Sequence, residues 1–277
     1  MATTEKVSEL FTYKMKKEII PKKSFGQNFL KNPGVIKKIV SSGEVKKGDL
    51  VLEIGPGKGA LTKELLLNGA TVFAIEKDIQ MKEVLEETFS KEIKSKKLNL
   101  IFSDFLLEDI SKIIPKGKEF KVIANIPYYI TGAIIEKTLS EKTKPSLAVF
   151  LIQKEVAERI LARNKKESIL SLSVKVFGNP KIIMTVSRNS FFPAPKVDSA
   201  VLKISDIKNN FNKNFEKNFF ALVKNGFAHK RKFVLKNIEG GLDLESAQKF
   251  KESLNLKGNE RAEDLALSDW VSGAENI

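Results

Sequence analysis

From Asp49 to about Ile152 the chain alternates short apolar runs with stretches of helical spacing. Leu50–Ile54 reads as a buried strand, followed by a glycine turn and a helix over Ala60–Asn68. Thr71–Ile75 predicts a second strand and Ile79–Phe89 a second helix. Leu98–Phe102, Lys121–Ala124 and Ala148–Ile152 predict three further strands. Strands separated by helical stretches call for right-handed crossovers. The expected fold is therefore α/β, a doubly wound and mainly parallel sheet with helices on both faces. In Ser168–Phe177, Leu170, Leu172, Val174 and Val176 alternate with Ser171, Ser173 and Lys175, which is the period of a strand. After Leu202–Ile204 the composition turns to Asn, Lys and Phe across Ser205–Asn214, a candidate linker. Beyond it Phe215, Phe219, Leu222 and Val223, then Val234 and Ile238, recur at helical spacing and predict a small all-helical domain.

A length of 277 residues fits one large domain plus a small one. The absence of cysteine excludes disulfide frameworks, thiolate zinc sites and cysteine nucleophiles. With His229 as the only histidine, a His-rich metal site and a Ser-His-Asp triad have no ligands or base to draw on. Lys and Arg number 48 against 34 acids, a formal charge of +14, which points to a polyanionic partner. The excess is densest at the N-terminus, where residues 1–50 carry 11 Lys against 5 acids. Lys14, Lys16, Lys17, Lys22 and Lys23 there form a basic arm, or simply a solvated tail. A second basic cluster is His229–Lys232. No apolar run approaches the length of about 18 residues that spans a bilayer, and no secretory signal pattern opens the chain. The expectation is a cytoplasmic protein with no membrane partner.

Three motifs carry candidate chemistry, each at the carboxyl end of a predicted strand. Glu53-Ile54-Gly55-Pro56-Gly57-Lys58-Gly59-Ala60 joins a strand to a helix. Its glycines allow a tight turn and close approach to a ligand, and the helix start offers free N–H groups. Glu76 ends the next strand, where it can accept hydrogen bonds from ribose hydroxyls. Gly55, Gly57 and Ala60 also satisfy the dinucleotide pattern, so a nicotinamide cofactor and S-adenosylmethionine both remain open at this point. Asp104 and Phe105 follow the third strand, an acid for an adenine amino group and a ring to stack; alternatively they are a helix cap and a core aromatic. Asn125-Ile126-Pro127-Tyr128 ends the fourth strand. The lone pair of an exocyclic amine is delocalised into its base, and the amine becomes nucleophilic only when held. The Asn125 side-chain oxygen and a carbonyl such as that of Ile126 can accept its two N–H bonds. Pro127 stiffens the loop, and Tyr128 can stack on an extruded base. Asn is no base at neutral pH, so catalysis would rest on positioning.

Asn125–Tyr128 is similar to the amino-methyltransferase pattern (Asp/Asn/Ser)-x-Pro-(Tyr/Phe). Phe25–Leu30, the glycine loop, Gln153–Arg159, Phe192–Val201, Phe227–Leu235 and Arg261–Glu263 follow in order. Together, over about residues 22–272, the chain resembles the KsgA-type ribosomal RNA adenine dimethyltransferases. Ile126, where Leu is commoner, and Ala194, where Pro is usual, depart from the pattern. The resemblance implies a Rossmann-like S-adenosylmethionine-dependent methyltransferase sheet over 23–207, a basic arm over 1–22 and a helical rRNA-binding domain over 208–277. It also implies a helix where Ser168–Phe177 shows a strand period. By position, Asn28, Leu30, Gly55, Glu76, Asp104 and Asn125 would contact the cofactor, joined by Gly57 and Phe105 from the reading above. Asn125 and Tyr128 would flank the target adenine, with Ile126 and Pro127 between them. Lys22, Lys23, Phe192, Lys230, Arg231 and Lys232 would meet RNA. The implied reaction is dimethylation of N6 of two adjacent adenines near the 3′ end of small-subunit rRNA in a 30S assembly intermediate, by a monomer without metal. The alternatives are a large-subunit rRNA methyltransferase conferring antibiotic resistance, a non-catalytic assembly or transcription factor on the same fold, and, least favoured, a nicotinamide dehydrogenase.

Overall fold

A glycine-punctuated series of apolar strands builds the centre of the protein. The computed structural model describes residues 26–208 and 211–277. In chain order the elements are β1 (Phe29–Leu30), α1 (Pro33–Ser42), β2 (Leu50–Ile54), α2 (Ala60–Leu67), β3 (Thr71–Glu76), α3 (Lys82–Thr88), α4 (Ser90–Lys94) and β4 (Leu98–Phe102). There follow α5 (Ile110–Ile113), β5 (Lys121–Asn125), α6 (Thr131–Ser140), β6 (Leu147–Gln153), α7 (Lys154–Ile160), α8 (Ile169–Lys175), β7 (Asn179–Val186), β8 (Phe191–Phe192) and β9 (Ser199–Ser205). The C-terminal helices are α9 (Lys213–Gly226), α10 (Val234–Glu239), α11 (Leu244–Ser253) and α12 (Leu267–Asn276).

Seven strands form one sheet in the order β4-β3-β2-β5-β6-β9-β7. The first five are parallel, as their helical crossovers require, and β9 and β7 close one edge antiparallel. A separate antiparallel pair joins β1 to β8, with Phe29 opposite Phe192. On one face α1, α2 and α3 bury Ile39, Leu65 and Leu85 against Val51, Val72 and Val149. On the other, α6, α7 and α8 bury Ile134, Ile160 and Leu172 against Leu52, Val122 and Phe150. That second core continues without interruption into the C-terminal helices through Phe219, Phe250 and Trp270.

The strand period over Ser168–Phe177 does not produce a strand. The segment is helix α8, started by a reciprocal cap in which the Ser171 N–H donates to the Ser168 hydroxyl at 3.1 Å and the Ser168 N–H to the Ser171 hydroxyl at 2.6 Å. Ser171, Leu172, Ser173 and Val174 are all buried, so the helix has no single apolar stripe for a 3.6-residue period to trace. The expected linker is shorter than Ser205–Asn214, because β9 includes Ser205 and Asn212 already caps α9 by accepting from the Asn214 N–H. Ile79–Met81 forms a 3-10 turn ahead of α3, where the sequence pattern suggested one continuous helix. Among the described residues no helix is long and apolar enough to cross a membrane.

Candidate active site

The strand order reverses between β2 and β5, so the connections leaving their carboxyl ends diverge and leave a crevice. A cavity of about 380 Å³ fills that position. Each of the three motifs reaches it: Gly55 and Gly57 after β2, Glu76 at the end of β3, Asp104 and Phe105 after β4, and Asn125, Ile126, Pro127 and Tyr128 after β5. Pairing of β1 with β8 brings Asn28, Leu30 and Phe192 to the same cavity.

The glycine turn is shaped for close approach. Gly55 and Gly57 lie at φ +70° and +56°, in the left-handed region. A Cβ on Gly57 would sit 3.1 Å from the Phe29 ring. The Gly57 N–H donates to Glu76 Oε2 at 2.9 Å and the Asp78 N–H to Glu76 Oε1 at 2.8 Å, which fixes the carboxyl plane. Burial pushes the Glu76 carboxyl up, and these backbone donors oppose the push. Glu53 lies deeper, 1% exposed, with Oε2 lacking a hydrogen-bond partner. Burial pushes its carboxyl up to about 8, and the charge of Glu76 adds to the rise.

Asp104 accepts from the Lys77 ammonium at 2.7 Å through Oδ2 and from the Leu106 N–H at 3.0 Å through Oδ1. The Lys77 ammonium holds the Asp104 carboxyl below its ordinary range. The sequence offered cap and ligand as alternatives for Asp104. It does cap the turn Phe105–Leu107, and it also lines the cavity. Phe105 is a core aromatic, 4% exposed, that still reaches the cavity wall.

The Asn125 amide nitrogen donates to the Asn28 carbonyl at 3.2 Å. That contact leaves the side-chain oxygen as the amide's acceptor. Asn28 is itself tied back, its amide donating to the Gly26 carbonyl at 3.1 Å. Tyr128 is half-buried and shares a 2.6 Å hydroxyl–hydroxyl bond with Ser199 on β9, which fixes its ring. Burial pushes the Tyr128 phenol up. Tyr129 and Phe192, each more than half exposed, stand at the cavity edge.

Lys230, Arg231 and Lys232 do not line this cavity. They are exposed in the segment between α9 and α10, and Arg261 fastens that segment by donating to the Lys230 carbonyl at 3.2 Å. Lys230 instead borders a second cavity of about 500 Å³, together with Arg159 and Phe227. Lys22 and Lys23 lie outside the described residues. Motif reading included Glu53 in the glycine motif without giving it a role, and missed Lys77, Tyr129 and Ser199. Lys77 and Tyr129 adjoin motif positions and carried a positional signal, whereas Ser199 is supplied by a strand pairing that only the fold creates. Among the described residues no group of three or more His, Cys, Asp or Glu is placed to hold a metal ion.

The model of the ribosomal RNA adenine dimethylase family matches residues 20–277. A ribosomal RNA small subunit methyltransferase A from Mycoplasmopsis pulmonis is 42% identical, over 91% of this chain and 96% of the relative. Its counterpart in Dehalococcoides mccartyi strain CBDB1 is 36% identical, over 98% of this chain and 91% of the relative. Among solved structures, a dimethyladenosine transferase from Plasmodium falciparum superposes with a TM-score of 0.72 at 29% identity, covering 88% of this chain and 95% of that one. The 23S rRNA methyltransferase ErmE shares the fold, with a TM-score of 0.69 at 23% identity over 90% of this chain and 99% of that one. From the near-complete family match, and with the glycine turn, two acids and Asn-Ile-Pro-Tyr loop gathered at one switch point, the chain belongs to the ribosomal RNA adenine dimethylase family.

Proposed function

We propose that the protein uses S-adenosylmethionine to dimethylate N6 of two adjacent adenines near the 3′ end of small-subunit rRNA, during assembly of the 30S particle. The observation that carries this reading is the convergence of the Asn125–Tyr128 loop with the glycine turn, Glu76 and Asp104 on one cavity. The donor set fits the cofactor: a carboxylate with its plane fixed for ribose hydroxyls in Glu76, an ionised acceptor for the adenine amino group in Asp104, and backbone free of side chains at Gly55 and Gly57. The buried Glu53 oxygen without a partner, on the cavity wall, is a further polar group left for a ligand or water to satisfy.

Bound S-adenosylmethionine supplies an electrophilic methyl group on a sulfonium. The protein's own part is positioning. Asn125, with its amide nitrogen engaged by Asn28, offers its oxygen to an N6 hydrogen and orients the amine for in-line attack. The Tyr128 ring, anchored by Ser199, provides a face for the extruded adenine. Asn125 takes no proton at neutral pH, so the amine proton is released to water once N6 has gained its methyl group. Lys230, Arg231 and Lys232, with Lys22 and Lys23 of the N-terminal arm, grip the phosphate backbone, and residues 208–277 serve as the RNA-holding part.

Mapping methylated adenines on 30S particles from a methylase-deficient strain, incubated with the purified protein and S-adenosylmethionine, tests the reading. Dimethylation of two adjacent adenines near the 3′ end of the small-subunit rRNA is the expected result. No methyl transfer, or transfer to large-subunit rRNA instead, would overturn it.

A further inference from the structure

Lys77 is the first residue past β3, and Asp104 the second past β4. The two strands are parallel neighbours with Glu76 opposite Phe102, and the Ser103 N–H donates to the Glu76 carbonyl at 3.0 Å, so the pairing continues beyond the strand ends. This juxtaposition sets the Lys77 ammonium 2.7 Å from Asp104 Oδ2, and both residues line the cavity. Asp104 Oδ1 is held by the Leu106 N–H. Each carboxylate oxygen therefore has its own donor, and the plane of the group is fixed from both sides. Without Lys77, one oxygen would keep its backbone donor and the other would turn freely towards solvent.

We propose that Lys77 is a positioning residue that aims the Asp104 carboxylate at the exocyclic amino group of the cofactor's adenine and so sets the preference for a 6-aminopurine. The inference rests on the reading of Asp104 as that amino group's acceptor. A carboxylate held ionised and in plane accepts a short charge-assisted hydrogen bond from an amino donor, and gains nothing from a purine that lacks one. The ammonium holds Asp104 below the ordinary carboxylate range, and the ionised carboxylate is an acceptor only. Lys77 is half exposed, so its direct contribution to folding is small and its effect is expected in ligand selectivity.

Calorimetric titration with S-adenosylhomocysteine and with its 6-deamino counterpart tests this. Lys77→Met should weaken binding of the amino compound about three- to tenfold and change the 6-deamino compound less than about twofold. Lys77→Arg, which keeps the charge and a donor, should restore the amino preference to within about twofold of wild type. Equal losses on both ligands, or none, would overturn the role of Lys77 while leaving the cofactor reading intact. Wild-type protein that binds neither ligand would overturn the cofactor reading, and this inference with it. Thermal denaturation separates a folding defect from a lost contact, and the Arg variant keeps the test decisive if the Met variant is unstable.

Discussion

The side-chain amide of Asn125 is oriented by the main-chain carbonyl of Asn28, a residue 97 positions earlier in the chain. One end of the amide is thereby committed to the protein, and on the proposed reading the other is kept for a ligand. Asn125→Ala removes both at once. Turnover should fall about 100- to 1,000-fold, the scale of losing one preorganised transition-state contact, while affinity for S-adenosylhomocysteine changes less than about fivefold. Methyl incorporation into 30S particles and calorimetry measure the two quantities. Near-wild-type turnover would remove Asn125 from the mechanism.

Tyr128 shares its hydroxyl with Ser199, and on the proposed reading it offers its ring to the target base. If stacking is its task, the ring matters more than the hydroxyl. Tyr128→Phe should retain turnover within about fivefold, and Tyr128→Ala should lose about 10- to 100-fold, the range of base–aromatic stacking. Equal losses in both variants would shift the role to the hydroxyl.

Glu53 links stability to pH. Its carboxyl titrates at about 8 in the folded protein, against 4.5 in the ordinary case. Between those values the folded state holds a proton that the unfolded chain has released, so this group makes wild-type stability fall as pH rises through the window and level off above it. Glu53→Gln removes the titration. Relative to wild type the variant should gain up to about 1.4 kcal/mol per pH unit from about pH 5 to about pH 8. Urea denaturation curves across that range provide the check, and a difference independent of pH would refute the assignment.

Gly59 caps α2 at φ +81°, and a Cβ there would lie 2.4 Å from the Phe89 ring. Backbone strain and overpacking then act together. Gly59→Ala should cost about 2–4 kcal/mol in unfolding free energy by chemical denaturation. A cost under about 1 kcal/mol would mean that Phe89 has room to move.

Arg231 is exposed in the basic segment before α10. As a phosphate contact it should weaken RNA binding when replaced by Ala, uniformly across RNA sequences. The slope of log affinity against log salt should become shallower by about one. An unchanged slope would leave Arg231 as part of a solvated face.

The parallel half of the sheet and all three chemical motifs were legible in the sequence, because buried strands between helices leave continuous apolar runs such as Leu147–Ile152. Among the elements that were not, two show why. Helix α8 is enclosed on several sides, and small serines take part in its burial, so its residues mimic the alternation of a strand. Strand β7 lies at a sheet edge, largely half-buried, and its register shifts between Ile182 and Met184, which breaks the two-residue period. At the site, positions at strand ends could be read from motif and spacing alone. Partners such as Ser199 for Tyr128 or Asn28 for Asn125 are matched across strands and loops, and no local pattern encodes them.

Phe219 and Trp270 of the C-terminal helices share one buried core with Leu52 and Phe150 of the sheet. Swinging those helices away would open that core to water, so the span from the basic segment to the crevice is set when the chain folds. The molecule then works as a caliper. On the proposed reading, an RNA would qualify by presenting a phosphate grip and an unstacked adenine at one fixed separation, and the gauge is apolar packing that touches neither.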